Sequence, residues 1–233
     1  MIVSGDKSLS IRWVLFSSIA NGESKALNLL YSEDVLAAIN AVKKLGAKVN
    51  IKKKICLIKG VGLNGFKYKK NLTIDAKNSG TLGRLIMGLL IDAKTKIKIV
   101  GDKSLSKRDF YRIAEPLRKF GAQINLKKNG LPLTIRGSNN LRPIKYIEKK
   151  GSAQCKSSVI FAALKTSGKT IIKAKKSRNH TELLCKHLKL PIKIKQDNNY
   201  DYIEIKKANK IKILNYNIPS DISSSAFFII LTA

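Results

Sequence analysis

Four stretches of this chain place small hydrogen-bonding residues directly before an apolar run of helical length. They are GDKSLSIRWVLFSSIA from Gly5, NSGTLGRLIMGLLI from Asn78, GSAQCKSSVIFAALK from Gly151 and PSDISSSAFFIILTA from Pro219. The first turn of a helix leaves backbone N–H groups without internal partners and carries the positive end of the helix dipole. Small side chains let an oxyanion reach those groups. Cations stand beside several of the starts: Lys7 and Arg12, Arg84, and Lys156, while Arg108 and Arg178 lie at the openings of further segments. Arginine offers a planar donor fork that fits carboxylate or phosphate, and lysine a compact charge. A single start of this kind is an ordinary cap. Four with cations alongside suit a small polyanion. Arg84 and Lys156 also admit a purely structural role.

The elements that must position these residues repeat. The four starts are 73, 73 and 68 residues apart, which is the signature of a repeated supersecondary unit. A second set of segments interleaves with the first: SEDVLAAINAVKKLGAKVNI from Ser32, SKRDFYRIAEPLRKFGAQINL from Ser106 and SRNHTELLCKHLKLPIKI from Ser177. Each reads as an N-capped amphipathic helix with apolar residues at three- and four-residue spacing. Gly46 and Gly121 stop the first two, Pro191 marks the end of the third, and alternating residues at 47–51 and 122–126 predict strands after the first two. The unit is about 70 residues of helix, strand, helix and further strands. The chain holds three such units and the opening of a fourth, which ends inside its apolar helix at residues 227–233. That predicts a chain truncated at its C-terminus. The hexapeptide GDKSLS occurs in two of the units, at 5–10 and 101–106, each copy followed two residues on by arginine, Arg12 or Arg108.

Composition narrows the function classes. The 233 residues carry 46 Lys and Arg against 15 Asp and Glu, a formal charge of +31. Such a charge suits a polyanion partner. The lysine doublets and triplets are dispersed along the chain, however, and aromatic residues make up only 6%, too few for a base-stacking platform. A solvated basic surface that attracts small anions is the better reading. Cys56, Cys155 and Cys185 form no CxxC pair, and an odd count argues against a disulfide framework. His180 and His187 have no Cys or carboxylate at ligand spacing, so no metal is expected. No apolar run approaches the roughly 20 residues that span a bilayer. The expected protein is soluble and cytoplasmic.

The ordered motifs GDKSLSIR, NSGT, GDKSLSKR, SAQ followed by KS, SRNHTE and SDISSSAFF resemble those of the 5-enolpyruvylshikimate-3-phosphate synthase family, from Ser4 to the last residue. The resemblance implies an α/β fold, an inside-out α/β barrel built from βαβαββ repeats. It implies transfer of the enolpyruvyl group of phosphoenolpyruvate to the 5-hydroxyl of shikimate 3-phosphate, with release of phosphate, in the pathway to aromatic amino acids. No cofactor is implied, and the complete protein is expected to be a monomer. Glyphosate competes with phosphoenolpyruvate in this family.

Carried over by position, Lys7, Ser8 and Arg12 would hold shikimate 3-phosphate, with Lys7 also touching phosphoenolpyruvate. Ser152, Ala153 and Gln154 resemble the loop around shikimate 3-phosphate, and Ser177 and Arg178 its 3-phosphate ligands. Asn78, Gly80 and Thr81 resemble the loop beside phosphoenolpyruvate, where Gly80 leaves room for the anion. Arg108 and Gln154 complete that set. By this resemblance Arg108 grips the phosphate of phosphoenolpyruvate.

Some positions depart from the family pattern. Ser4 and Ile11 replace a proline and a histidine, Asn179 an aspartate, and Cys155 an aliphatic residue. Asp109 follows Arg108 where proline is usual, an adjacent carboxylate that could pull the guanidinium into a local ion pair. The family's aspartate base, its proton-transferring lysine and glutamate, and further arginines belong to a second half. No catalytic residue is therefore expected in this chain, and it is expected not to turn over alone. The same division predicts a partial domain from residues 1–20 and 219–233, with 21–218 a complete three-repeat domain. Only residues 1–3 remain for the strand expected before GDKS.

Three other readings compete. The enolpyruvyl transferase acting on UDP-N-acetylglucosamine shares the fold but relies on a cysteine in an exposed glycine-rich loop. A basic nucleic-acid-binding protein, related to RNA-phosphate-processing enzymes of the same repeat, would bind oligonucleotides with a steep salt dependence. The third is a decayed, non-catalytic fragment.

Overall fold

The computed structural model describes residues 4–52 and 55–232, with the side chains of 227–229 and 232 outside the description. The opening strand expected at residues 1–3 lies outside the described residues, as does Ala233. Among the described residues, α1 (Lys7–Ser18) leads into β1 (Glu23–Leu27), α2 (Glu33–Lys44), β2 (Lys48–Lys52) and β3 (Ile55–Lys59). Next come β4 (Thr73–Asp75), α3 (Gly80–Leu89), β5 (Ile97–Val100), α4 (Tyr111–Phe120), β6 (Gln123–Lys127) and β7 (Gly130–Arg136). The third group is β8 (Lys145–Glu148), α5 (Ala153–Lys165), β9 (Lys169–Lys175), α6 (His180–His187), β10 (Ile192–Gln196) and β11 (Tyr200–Lys206). Finally β12 (Tyr216–Asn217) precedes α7 (Ile222–Thr232).

These elements form three sheets of one design, ordered β12-β1-β3-β2, β4-β5-β7-β6 and β8-β9-β11-β10. In each, the first two strands are parallel and the last two join antiparallel. This is the βαβαββ unit implied by the resemblance. The first sheet takes its leading strand from far along the chain: Ala26 pairs with Tyr216.

The chain divides into two compact units, Met1–Lys67 with Lys210–Ala233, and Tyr68–Asn209. This partition follows contacts, whereas the expected division at 20/21 and 218/219 follows the resemblance. In the first unit α1 packs on α2, β1 and β3. Ile11, Trp13, Val14, Leu15 and Phe16 are fully buried, and burying a large apolar side chain stabilises by about 1.5–3 kcal/mol. Trp13 Nε1 donates to the Leu214 carbonyl at 2.8 Å. Helix α1 is thereby tied into the same core as β1 and β3.

In the second unit α3 and α5 pack side by side. A Cβ at Gly88 would lie 2.1 Å from the Ser158 carbonyl oxygen, so the two helices approach too closely for any side chain there. All of α3 except Thr81 is buried, and α5 is buried from Cys155 to Lys165. Strands β9 and β11 alternate buried and more exposed positions, which puts the helices inside and one sheet face outside.

Local signals explain the element ends. Gly46 and Gly121 take φ of +101° and +117° after α2 and α4, a left-handed conformation that glycine adopts without a Cβ penalty. After α6 the left-handed residue is Lys189, at φ +52°, and Pro191 stands just before β10. Both GDKSLS copies begin alike: Asp6 Oδ1 accepts from Leu9 N and Asp102 Oδ1 from Leu105 N, each at 2.6 Å. Then they diverge. The first continues as α1, while the second makes only a 3₁₀ turn, Leu105–Lys107. The helix expected from Ser106 begins at Tyr111 instead, because Asp109 Oδ1 accepts from Tyr111 N (2.8 Å) and Arg112 N (3.4 Å) and starts it anew. The helix expected from Ser177 likewise begins at His180.

Candidate functional site

In the first unit, the start of α1 holds Lys7, Ser8 and Arg12. Arg12 is 2% exposed, and its Nη1 donates to Ser8 Oγ at 2.5 Å and to the Ser8 carbonyl at 3.1 Å. A spacing of four residues puts the two side chains on one helix face, so the guanidinium is anchored one turn back. Lys7 is exposed and pairs with Asp34 at 3.2 Å. Surface pairs of this kind are worth about 0–1 kcal/mol, so the ammonium can exchange Asp34 for another anion at little cost.

In the second unit the starts of α3 and α5 come together. Ser79 Oγ accepts from Leu82 N at 3.2 Å and Ser152 Oγ from Cys155 N at 3.3 Å. The Ser152 N–H in turn donates to Glu148 Oε2 at 2.9 Å. Across the gap between the helices, Arg84 Nη1 donates to Gln154 Oε1 at 2.7 Å, and Gln154 Nε2 to Thr81 Oγ1 at 3.1 Å. Arg108 reaches the same place. Extended backbone after the 3₁₀ turn presents it at φ −76°, ψ 149°, and its Nη2 donates to Asn78 Oδ1 at 3.3 Å. Asn78 Nδ2 donates to Asp102 Oδ2 at 2.5 Å.

Gly80 sits at the centre of this cluster. A Cβ there would lie 2.7 Å from Arg84 Nη1 and 3.4 Å from Arg108 Nη1. The structure therefore gathers Asn78, Gly80, Thr81, Arg108 and Gln154, with Ser152 and Ala153 opening the helix that carries Gln154. Ser177 and Arg178 occupy the loop between β9 and α6. Arg178 is exposed, and the Ser177 hydroxyl is buried with no hydrogen-bond partner among the described residues.

The electrostatics favour an anion. Burial lowers the pKa of Arg84 to about 10, with the Arg112 and Arg108 charges adding to the effect and Cys155 and Asp109 opposing it. A shallow basic depression beside the cluster is lined by Lys103, Ser104, Lys107 and Arg108. Asp102 is held below its ordinary pKa by the Leu105 N–H and the Asn78 amide, so it stays ionised as it orients Asn78.

One expectation changes, and one open alternative closes. Asp109 is not drawn into an ion pair with Arg108 among the described residues; its carboxylate is spent on capping α4. Lys156 belongs to no anion site, because it is fully buried between Glu182 Oε1 (2.6 Å) and Asp201 Oδ2 (2.8 Å). Arg84, which the sequence leaves open to a purely structural role, stands within the cluster. Its spacing of four from Gly80 was the available signal, since i and i+4 share a helix face. Among the described residues no group of three or more His, Cys, Asp or Glu could hold a metal ion, and no helix is long and apolar enough to cross a membrane.

Comparison with known proteins decides the family. The model of the EPSP synthase (3-phosphoshikimate 1-carboxyvinyltransferase) family matches residues 1–233. The chain belongs to the EPSP synthase family. It is 41% identical over 235 residues to a 3-phosphoshikimate 1-carboxyvinyltransferase of Caldicellulosiruptor bescii, covering 99% of this chain and 53% of that protein. The Streptococcus mutans protein of the same name is 40% identical over 230 residues, covering 97% and 53%. A solved EPSP synthase from Acinetobacter baumannii superposes with a TM-score of 0.89 at 36% identity, covering 99% of this chain and 52% of that one. The fold of the chain is thus the EPSP synthase fold. The chain spans about half the length of the EPSP synthases it matches.

Proposed function

We propose that this chain supplies anion-binding residues for transfer of the enolpyruvyl group of phosphoenolpyruvate to the 5-hydroxyl of shikimate 3-phosphate. The observation that carries this reading is Gly80 lying between two guanidiniums, Arg84 and Arg108, with the amides of Asn78 and Gln154 alongside. A doubly charged small acid suits such a cluster: bidentate arginine donors match phosphate and carboxylate, and glycine leaves room for the anion.

Asn78, Gly80, Thr81, Arg108 and Gln154 are assigned to phosphoenolpyruvate, and the resemblance assigns Lys7 to the same anion. Lys7, Ser8, Arg12, Ser152, Ala153, Gln154, Ser177 and Arg178 are the shikimate 3-phosphate set. The Ser177 hydroxyl, which has no hydrogen-bond partner among the described residues, suits a phosphate oxygen. The reaction protonates the vinyl carbon, adds the 5-hydroxyl to the adjacent carbon and expels phosphate from the tetrahedral intermediate. The residues of this chain hold and orient the two anions, and proton transfer is assigned to none of them. The working protein is taken to be a cytoplasmic monomer with no metal or organic cofactor.

Calorimetric titration of the 233-residue chain with each substrate tests the reading. Arg108→Ala should weaken phosphoenolpyruvate binding, and Arg12→Ala and Ser152→Ala should weaken shikimate 3-phosphate binding. Wild-type affinity in all three variants would refute the site. Phosphate release by the chain alone at a rate typical of the family would refute the assignment of proton transfer elsewhere.

A further inference from the structure

A guanidinium carries five N–H donors and no acceptor. With Arg84 Nη1 at 2.7 Å, the Gln154 atom facing it must be the carbonyl oxygen. The ordinary ambiguity of a glutamine amide, whose O and N can be exchanged by a half-turn, is thereby removed. The nitrogen then faces Thr81, 3.1 Å from its hydroxyl oxygen. One amide hydrogen makes that bond, and the second meets no acceptor among the described residues. Thr81, having accepted, retains its own O–H as a donor. The series Arg84, Gln154, Thr81 runs in one direction and ends in donors, and such a series polarises cooperatively.

Arg84 is itself well fixed. It is 4% exposed, its Nη2 donates to the Asp109 carbonyl at 3.2 Å, and its guanidinium lies 4.9 Å from the centre of the Phe110 ring. Its Nε is buried without a partner, and no carboxylate is ion-paired with it among the described residues. A pKa of about 10 still leaves it charged at neutral pH, so it can never turn acceptor towards Gln154.

We propose that Arg84 is a positioning residue that locks the Gln154 amide, so that Gln154 and Thr81 present N–H and O–H donors to an anion beside Gly80. Without it the amide can turn over, offer its oxygen towards the anion and take up the Thr81 hydrogen. This inference deepens the functional reading above and rests on it for the identity of the anion, phosphoenolpyruvate.

The test uses the full chain, labelled with nitrogen-15. Glutamine occurs at Gln123, Gln154 and Gln196, so Gln154→Glu assigns the Gln154 side-chain resonances by their loss. Wild type and Arg84→Lys, which keeps a donor-only group, should both show a nuclear Overhauser contact from the Gln154 amide to Thr81. Arg84→Met should lose that contact with the remaining spectrum unchanged. Its phosphoenolpyruvate dissociation constant should rise about tenfold to a hundredfold, the scale of one or two hydrogen bonds to a charged group. Arg84→Lys should restore most of the affinity. Retention of both the contact and the affinity in a folded Arg84→Met overturns the proposal. So does an Arg84→Lys variant that keeps the contact but binds as weakly as Arg84→Met, since the guanidinium would then touch the ligand directly. If wild type binds no phosphoenolpyruvate, the functional reading fails, while the amide contact still decides whether Arg84 orients Gln154.

Discussion

A methyl group added at Gly80 would meet Arg84 Nη1 at 2.7 Å and Arg108 Nη1 at 3.4 Å. Arg84 cannot yield freely, because Gln154 and the Asp109 carbonyl hold its two terminal nitrogens. Arg108 is exposed and can move, but only by leaving Asn78. Gly80→Ala should therefore keep the fold and weaken phosphoenolpyruvate binding about tenfold or more, the value of one charge-assisted hydrogen bond lost, with shikimate 3-phosphate affected less. Titration calorimetry with both ligands checks this, and an equal loss for the two would place Gly80 away from the phosphoenolpyruvate set. At this scale the caps were legible: Ser79 and Ser152 are small residues before apolar runs and do cap helices. The role of Arg84 was not, because its partner Gln154 lies 70 residues away and no local pattern reports that meeting. Asp109 was visible as a carboxylate beside Arg108, but its choice of the α4 N–H groups over the guanidinium is a matter of backbone geometry.

The elements are held by a buried charge group that no periodicity announces. Lys156 on α5 lies between Glu182 on α6 and Asp201 on β11, and Gln196 Nε2 donates to Asp201 Oδ1 at 2.6 Å. Removing the cation strands two carboxylates in the interior. Lys156→Met should cost about 3–5 kcal/mol, read as a large drop in the urea midpoint. Glu182→Gln should cost far less, since it leaves one cation facing one anion. The two carboxylates also respond oppositely to pH. Burial raises the pKa of Glu182 above 4.5 despite Lys156, so its contribution favours the fold at low pH and is lost as pH rises from 4.5 through the raised value. Burial works against the ionised form of Asp201 too, but hydrogen bonds from Lys156 and Gln196 prevail and hold its pKa below 3.8. Its contribution is present above 3.8 and lost as pH falls through the lowered value. Urea midpoints measured against pH should lose the decline above 4.5 in Glu182→Gln and keep the acid-side loss. An unchanged profile would mean that Glu182 does not titrate in the fold. The helix stops at Gly46 and Gly121 were readable because they are local, whereas the charge group depends on residues 26 and 45 positions from Lys156.

For the molecule as a whole, the division implied by the resemblance and the division by contacts cut the chain at different places. The resemblance groups 21–218 as a three-repeat domain, although the first unit opens with α1, before residue 21. Contacts group Met1–Lys67 with Lys210–Ala233, because α1 fills the core under β1 and β3 and because β12 completes the first sheet beside β1. The pairing of Ala26 with Tyr216 could not be read from either segment alone. Tyr216–Asn217 is a two-residue strand, too short for an alternation signal. The consequences can be separated by truncation. Residues 68–209 contain two complete sheets, the α3–α5 core and the Lys156 group, so this piece should fold alone with a cooperative urea transition. A chain ending at 209 loses β12 and the Leu214 carbonyl that accepts from Trp13. Because Trp13 is the one tryptophan in the chain, its emission reports the first unit and should shift to the red, while the transition of 68–209 persists. A piece spanning 21–218 lacks α1, so its residues 21–67 should show no protected amides in hydrogen exchange. Strong protection of β1 and β3 in that piece would instead make 21–218 the folding domain, with α1 an addition to a sheet that stands without it.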